Sequence, residues 1–227
     1  RAQSMPAITY SMGRALYVAL TNRCNALPLA ETRGPSFVMP ADSGFAKLPD
    51  GYEPSADEVL SAVKSRLGSG LHVGAPSSVV FAGLGEPLLR LCILLEAARR
   101  IEDAYPGSVC LRVSTNGLVP CARAEEVARS LWDAGVRRAT VAIASADETQ
   151  HRLLLAPRDA AIATPGGGGP AADAPGLADA CRFVQALVAA GMEVECTAVA
   201  EPSVDLKAAE VLATSLGASF RSRSYHP

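Results

Sequence analysis

Six short runs rich in apolar and β-branched residues, at 16–20, 78–82, 109–114, 139–144, 194–199 and 219–223, alternate with stretches of helical period. No other feature constrains the fold as much. Strands separated by helices lie too far apart in sequence to pair as hairpins, so they pair in parallel through right-handed crossovers. The helices carry their own punctuation. Ser55-Ala-Asp-Glu58 forms a capping-box sequence, Asp205 precedes the run 206–216, and the patterns at 88–104, 123–134, 177–190 and 206–216 each run into a glycine or a Pro-Gly pair. The expected class is α/β, in one domain over 1–227. Pattern alone does not choose between an open doubly wound sheet and an incomplete β/α barrel.

Charge and composition narrow the function classes. A formal net charge of −2 offers no basic face on which phosphates would collect, which argues against nucleic acid as principal partner. No run approaches the ~18 apolar residues that a membrane span requires, and the chain reads as soluble and intracellular. Cys24, Cys92, Cys110, Cys121, Cys181 and Cys196 are scattered without metal-knuckle spacing, and are read as reduced thiols. The last two, with Cys92 and Cys110, fall on periodic apolar segments and are expected as small core residues. Residues 157–175, with Thr164-Pro-Gly-Gly-Gly-Gly-Pro170 at their centre, read as a flexible surface insertion.

In parallel β/α architectures ligands meet the chain at the C-terminal ends of strands, so the loops that follow each strand are the first candidates. After the first run comes Thr21-Asn-Arg-Cys-Asn25, after the second Gly83-Leu-Gly-Glu-Pro87, and after the third Ser114-Thr-Asn-Gly117. Gly83 and Gly85 let backbone approach a ligand closely, Glu86 accepts from an ammonium or a hydroxyl, and Pro87 starts the next helix. Thr115 and Asn116 suit ribose hydroxyls or a carboxylate, although Asn-Gly is also a common turn dipeptide. Each motif alone is also an ordinary turn. His72, His151 and His226 are far apart in sequence and give no convincing acid–base pair.

Taken together and in this order, the three loops resemble those of the radical S-adenosylmethionine (SAM) superfamily. The segments Val194-Glu-Cys-Thr-Ala-Val-Ala-Glu-Pro-Ser-Val-Asp205 and Phe220-Arg-Ser-Arg-Ser-Tyr-His-Pro227 are similar to its TatD-associated branch. The resemblance implies a (β/α)6 partial TIM barrel. It further implies contacts to S-adenosylmethionine from Gly83, Gly85, Glu86 and Pro87, and from Ser114 and Asn116. The family's defining loop is CxxxCxxC, three thiolates holding a [4Fe–4S] cluster. Cys24 stands at its first position, but Pro28 and Glu31 stand at the other two.

Proline has no ligand atom, and a single carboxylate is a poor match for a cluster that favours soft sulfur. Cys24 is therefore read as the remnant of a metal site. The expected protein is radical SAM-like with its [4Fe–4S] cluster lost, keeping a pocket for S-adenosylmethionine or a similar small molecule. The alternative is an active enzyme of atypical ligation that cleaves S-adenosylmethionine to a 5′-deoxyadenosyl radical. Arg33, beside Gly34 and Pro35, either presents a guanidinium to an anion at the barrel mouth or belongs to a loop whose Phe37, Val38 and Met39 pack inward.

Overall fold

The structure is a computed structural model that describes residues 8–68, 77–156 and 175–227. Seven strands form one sheet in strict sequence order. They are β1 (Thr9–Met12), β2 (Ala15–Val18), β3 (Ser78–Phe81), β4 (Cys110–Thr115), β5 (Val136–Ala142), β6 (Glu193–Val199) and β7 (Ser219–Arg223). From β2 to β7 every pairing is parallel. The crossovers carry α1 (Ala56–Leu67), α2 (Leu91–Ala104), α3 (Ala124–Asp133), α4 (Glu148–Leu155) with α5 (Leu177–Ala189), and α6 (Leu206–Ser215). The α/β partial-barrel expectation holds, with a sheet that stays open between β1 and β7.

Two elements escape the sequence pattern. Strand β1 pairs antiparallel with β2 through a two-residue turn at Gly13 and Arg14. Gly13 has φ of 56° and among the described residues no non-glycine residue has positive φ, so this is the hairpin geometry with glycine at the first central position. Four residues are too few to show a period. Helix α4 has only eight residues, and is announced by Asp147, whose carboxylate accepts from the Gln150 N–H at 2.7 Å. Elsewhere the caps fall where expected: Ser55 and Glu58 exchange both capping-box hydrogen bonds, and Asp205 accepts from Ala208 N at 2.9 Å.

Alternate strand residues divide the sheet into two chemically different faces. Leu16, Val18, Val79, Phe81, Leu111 and Val113 belong to one buried cluster with the helices' apolar stripes, among them Val63, Leu94, Ile101, Leu131 and Phe183. The other face, on the inside of the curve, carries Tyr17, Arg112, Ser114, Thr140, Glu195 and Arg221. Cys196 is buried as expected. Cys110 and Cys181 are only half-buried, and Cys92 is exposed, because it lies off the stripe Leu94, Ala97, Ala98 and Ile101 that α2 turns to the core.

Among the described residues no helix is long and apolar enough to cross a membrane. The insertion expected at 157–175 lies, but for Pro175, outside the described residues, as does His72. Phe81, fully buried between sheet and helices, sets the first expected outcome. Phe81→Ala lowers the unfolding free energy by about 3–5 kcal/mol in a denaturant titration, whereas Val38→Ala, at a side chain 80% exposed, changes it by no more than about 0.5 kcal/mol.

Candidate functional site

Glu86 follows β3 and sits at the centre of the strand-end loops, 4% exposed. Its Oε1 accepts from the Thr115 hydroxyl at 2.7 Å and from Leu88 N at 3.0 Å, and its Oε2 accepts from Asn116 N at 2.8 Å. Burial pushes its carboxyl up to about 7, against the pull of these three donors toward the charged form. Asn116 continues the network: its Nδ2 donates to Asn25 Oδ1 at 2.8 Å and faces Cys24 Sγ at 3.8 Å, while its Oδ1 accepts from Leu118 N at 3.0 Å. Backbone bonds from Gly85 N to Thr21 O and from Glu86 N to Arg23 O complete the knot.

The two glycines serve this knot directly. A Cβ on Gly85 would lie 2.3 Å from Arg23 O and 2.6 Å from Thr21 O, and one on Gly83 would lie 2.9 Å from the Ala19 Cβ. The backbone that approaches them closely is the loop after β2. Pro87 is buried at the first position of a 3₁₀ turn, Pro87–Arg90, that leads into α2. Ser114 lies on the inner face, beside Thr140 of β5.

Cys24 is 3% exposed, in a small apolar cluster with Ala26 and Leu155, against which Leu29, Leu118 and Ala144 pack. Burial raises its thiol to about 11, with the Glu86 carboxylate nearby adding to the shift. Pro28 gives only its carbonyl, which accepts from Glu31 N and Thr32 N, and Glu31 is exposed. Cys121 lies elsewhere, on an exposed 3₁₀ turn, where its N–H donates to Asp179 of α5 at 2.7 Å. Among the described residues no three His, Cys, Asp or Glu side chains are spaced to hold a metal. The donors that the loop presents do not fit a [4Fe–4S] cluster.

Beyond Pro28 the loop is held by the segment that follows β7. His226 N donates to Arg33 O at 2.8 Å, Ser36 N donates to His226 O at 3.2 Å, and the Ser36 hydroxyl bonds Pro227 O. Gly34, with φ of 102°, lies so close to this segment that a Cβ would meet His226 O at 2.1 Å. The inward packing expected for residues 37–39 fails at Val38, which is exposed, while Phe37 lies under the Arg33 guanidinium at 4.2 Å.

Two cavities flank the knot. One, of about 510 Å³, touches Glu86, Asn116 and Asn25 and is walled by Leu88, Leu118 and Val119. The other, of about 250 Å³, lies at the ends of β5, β6 and β7, with apolar walls from Leu27, Leu29, Ala142 and Leu155. Its polar groups come from Thr32, Thr197, Glu201, Arg223 and Tyr225. Sequence reading missed these five as site residues, although four of them stand at or just beyond the ends of the last two strands. His151 is buried on α4 with its Nε2 unpartnered among the described residues.

No family model matches the chain. The probable dual-specificity RNA methyltransferase RlmN 1 of Opitutus terrae is 37% identical over 133 residues, 57% of this chain and 35% of that protein. The fold is that of HydG, a maturase of the [FeFe]-hydrogenase (TM-score 0.58, 12% identity, 94% of this chain and 42% of that one). It is also that of methylornithine synthase PylB (0.55, 11%, 94% and 53%). A third structure of this fold is the radical S-adenosylmethionine methyltransferase TsrM of Kitasatospora setae (0.55, 15%, 92% and 35%). The class is thus an α/β chain with a mostly parallel, unclosed barrel sheet. The chain spans about a third of the curated relative and 35% to 53% of these solved structures.

The knot yields a prediction with a sign. Glu86 binds its proton more tightly folded than unfolded, so its contribution to stability is complete below the ordinary value of 4.5 and is lost as the pH rises through about 7. Denaturant midpoints between pH 5 and 8 should therefore fall more steeply for the parent than for Glu86→Gln. Glu86→Ala, which strands three buried donors, should lower the unfolding free energy by about 3 kcal/mol or more at any pH in that range.

Proposed function

We propose that this chain is a radical SAM-like domain that no longer assembles the [4Fe–4S] cluster and binds an adenosyl-type small molecule at the barrel mouth. The observation that carries the reading is the setting of Cys24: a side chain 3% exposed and packed among apolar residues, with Pro28 and Glu31 where the motif calls for its two companions. Asn116 and Glu86, which the resemblance assigns to S-adenosylmethionine, spend their polar atoms on tying the loops together. Ligand contacts then fall to the neighbouring cavity of about 250 Å³. Its volume lies just below the ~300 Å³ at which drug-sized sites begin, which suits a nucleoside better than the whole cofactor.

Without an iron to chelate the methionyl amine and carboxylate, affinity is weak and the domain acts as a binding or regulatory module. The similarity of the C-terminal segments to the TatD-associated branch belongs to this reading, as does an intracellular setting. The net charge of −2 favours a small molecule over RNA as the ligand.

Anaerobic reconstitution with iron and sulfide tests the reading. The parent and Cys24→Ser are expected to take up the same, substoichiometric iron, and calorimetry is expected to show weak binding of S-adenosylmethionine. Stoichiometric iron and sulfide that Cys24→Ser abolishes would instead establish an active enzyme with ligands from outside the motif. That outcome would bring the chain closer to the methyltransferases it resembles.

A further inference from the structure

The inner face of the sheet ends in an excess of positive charge. On neighbouring strands Thr197 pairs with Arg221 and Val199 with Arg223, so both arginines stand at the barrel mouth, one pair apart. Arg33 reaches the same place from the loop after β2, with its Nε 3.4 Å from Ser224 O. Deeper on the same face the Nε of Arg112 is buried with no partner among the described residues. Against these four guanidinium groups stand, among the described residues, two carboxylates: Glu201 on the cavity wall, and Glu195, which accepts from Arg221 Nε at 2.9 Å and Nη2 at 2.5 Å.

Arg223 is half-buried and lines the mouth cavity beside Thr32, Thr197 and Tyr225. No hydrogen bond from its guanidinium to a described side chain offsets its burial, and Arg221 and Arg33 add like-charge repulsion, so its affinity for a proton falls below the usual arginine level. Glu201, the other charge on the wall, accepts from Ser203 N and bonds the Ser203 hydroxyl. Like charges held together at reduced solvation are costly unless an anion completes the set. A planar guanidinium at a cavity wall is also the side chain best shaped to grip a carboxylate or phosphate with two parallel hydrogen bonds.

From this juxtaposition we infer that the mouth cavity recognises the anionic head, carboxylate or phosphate, of a small molecule whose apolar body lies against Leu27, Leu29 and Leu155, with Arg223 as the binding residue and Arg33 and Arg221 reinforcing it. The inference shares its cavity with the adenosyl reading, but the charge it identifies belongs either to the amino-acid tail of an adenosyl compound or to an unrelated small acid.

Calorimetry on the full chain with hexyl phosphate, hexanoate, hexan-1-ol, S-adenosylhomocysteine and 5′-methylthioadenosine separates these. Hexyl phosphate or hexanoate should bind about tenfold or more tightly than hexan-1-ol, the size of one charge-assisted hydrogen bond. Arg223→Gln should remove that preference while Arg223→Lys keeps part of it, both with parental melting curves. If S-adenosylhomocysteine exceeds 5′-methylthioadenosine and Arg223→Gln erases the difference, the anion is the adenosyl compound's own carboxylate. If those two bind alike while the hexyl anions still depend on Arg223, it is a separate acid. Binding of the hexyl anions with no adenosyl compound bound overturns the adenosyl reading and sustains this one. Equal binding of hexyl phosphate, hexanoate and hexan-1-ol by the parent overturns the anion site whatever the variants do. So does a preference that survives Arg223→Gln.

Discussion

One buried carboxylate organises the end of the sheet where ligands would meet it. Glu86 accepts three hydrogen bonds, from Leu88 after β3, from Thr115 at the end of β4 and from Asn116 just beyond it, while its own N–H and that of Gly85 reach back to the loop after β2. Burying a carboxylate is unfavourable unless such donors surround it. A site of this kind is all-or-none: with every donor in place it fixes three loops, and with one missing it destabilises them together. Cys24, Asn25 and the cavities on either side take their positions from it.

The two faces of the sheet divide the remaining tasks. Outward strand residues are apolar and merge with the helices into one core. Inward residues are polar, and their charges are unevenly matched: Arg138 pairs with Glu193 at 2.7 Å and Arg221 with Glu195, whereas Arg112 and Arg223 are left over among the described residues. A fold that needed only stability would have no use for the unmatched pair. The arginines left unmatched among the described residues thus give this end of the sheet electrostatics that suit an anion.

Much of the fold was legible because its signals are local. Runs of apolar residues, Ser55 and Asp205 as caps, and glycines after the helices place most of the elements within a few residues. Strand β1 and helix α4 are too short to display a period. The motif residues were legible too, but not their partners, since which donors reach Glu86 depends on loops that meet only in three dimensions. The arginine cluster had a visible trace in the alternation Glu193, Glu195, Thr197 and Ser219, Arg221, Arg223. Fully sandwiched parallel strands read as unbroken apolar runs, so polar residues at every second position mark a face that something other than a helix must cover.

The hydrogen bonds that join Arg33 and Ser36 to residues 224–227 span 190 to 193 positions of the chain. Every strand, by contrast, pairs with its neighbour in sequence. Loop-closure entropy grows with separation, so sheet growth can proceed from neighbour to neighbour while this clasp waits for β7 to dock. The mouth is accordingly the last region to acquire its shape, and a chain whose sheet is otherwise complete presents no finished site until residues 33–36 and 224–227 have met.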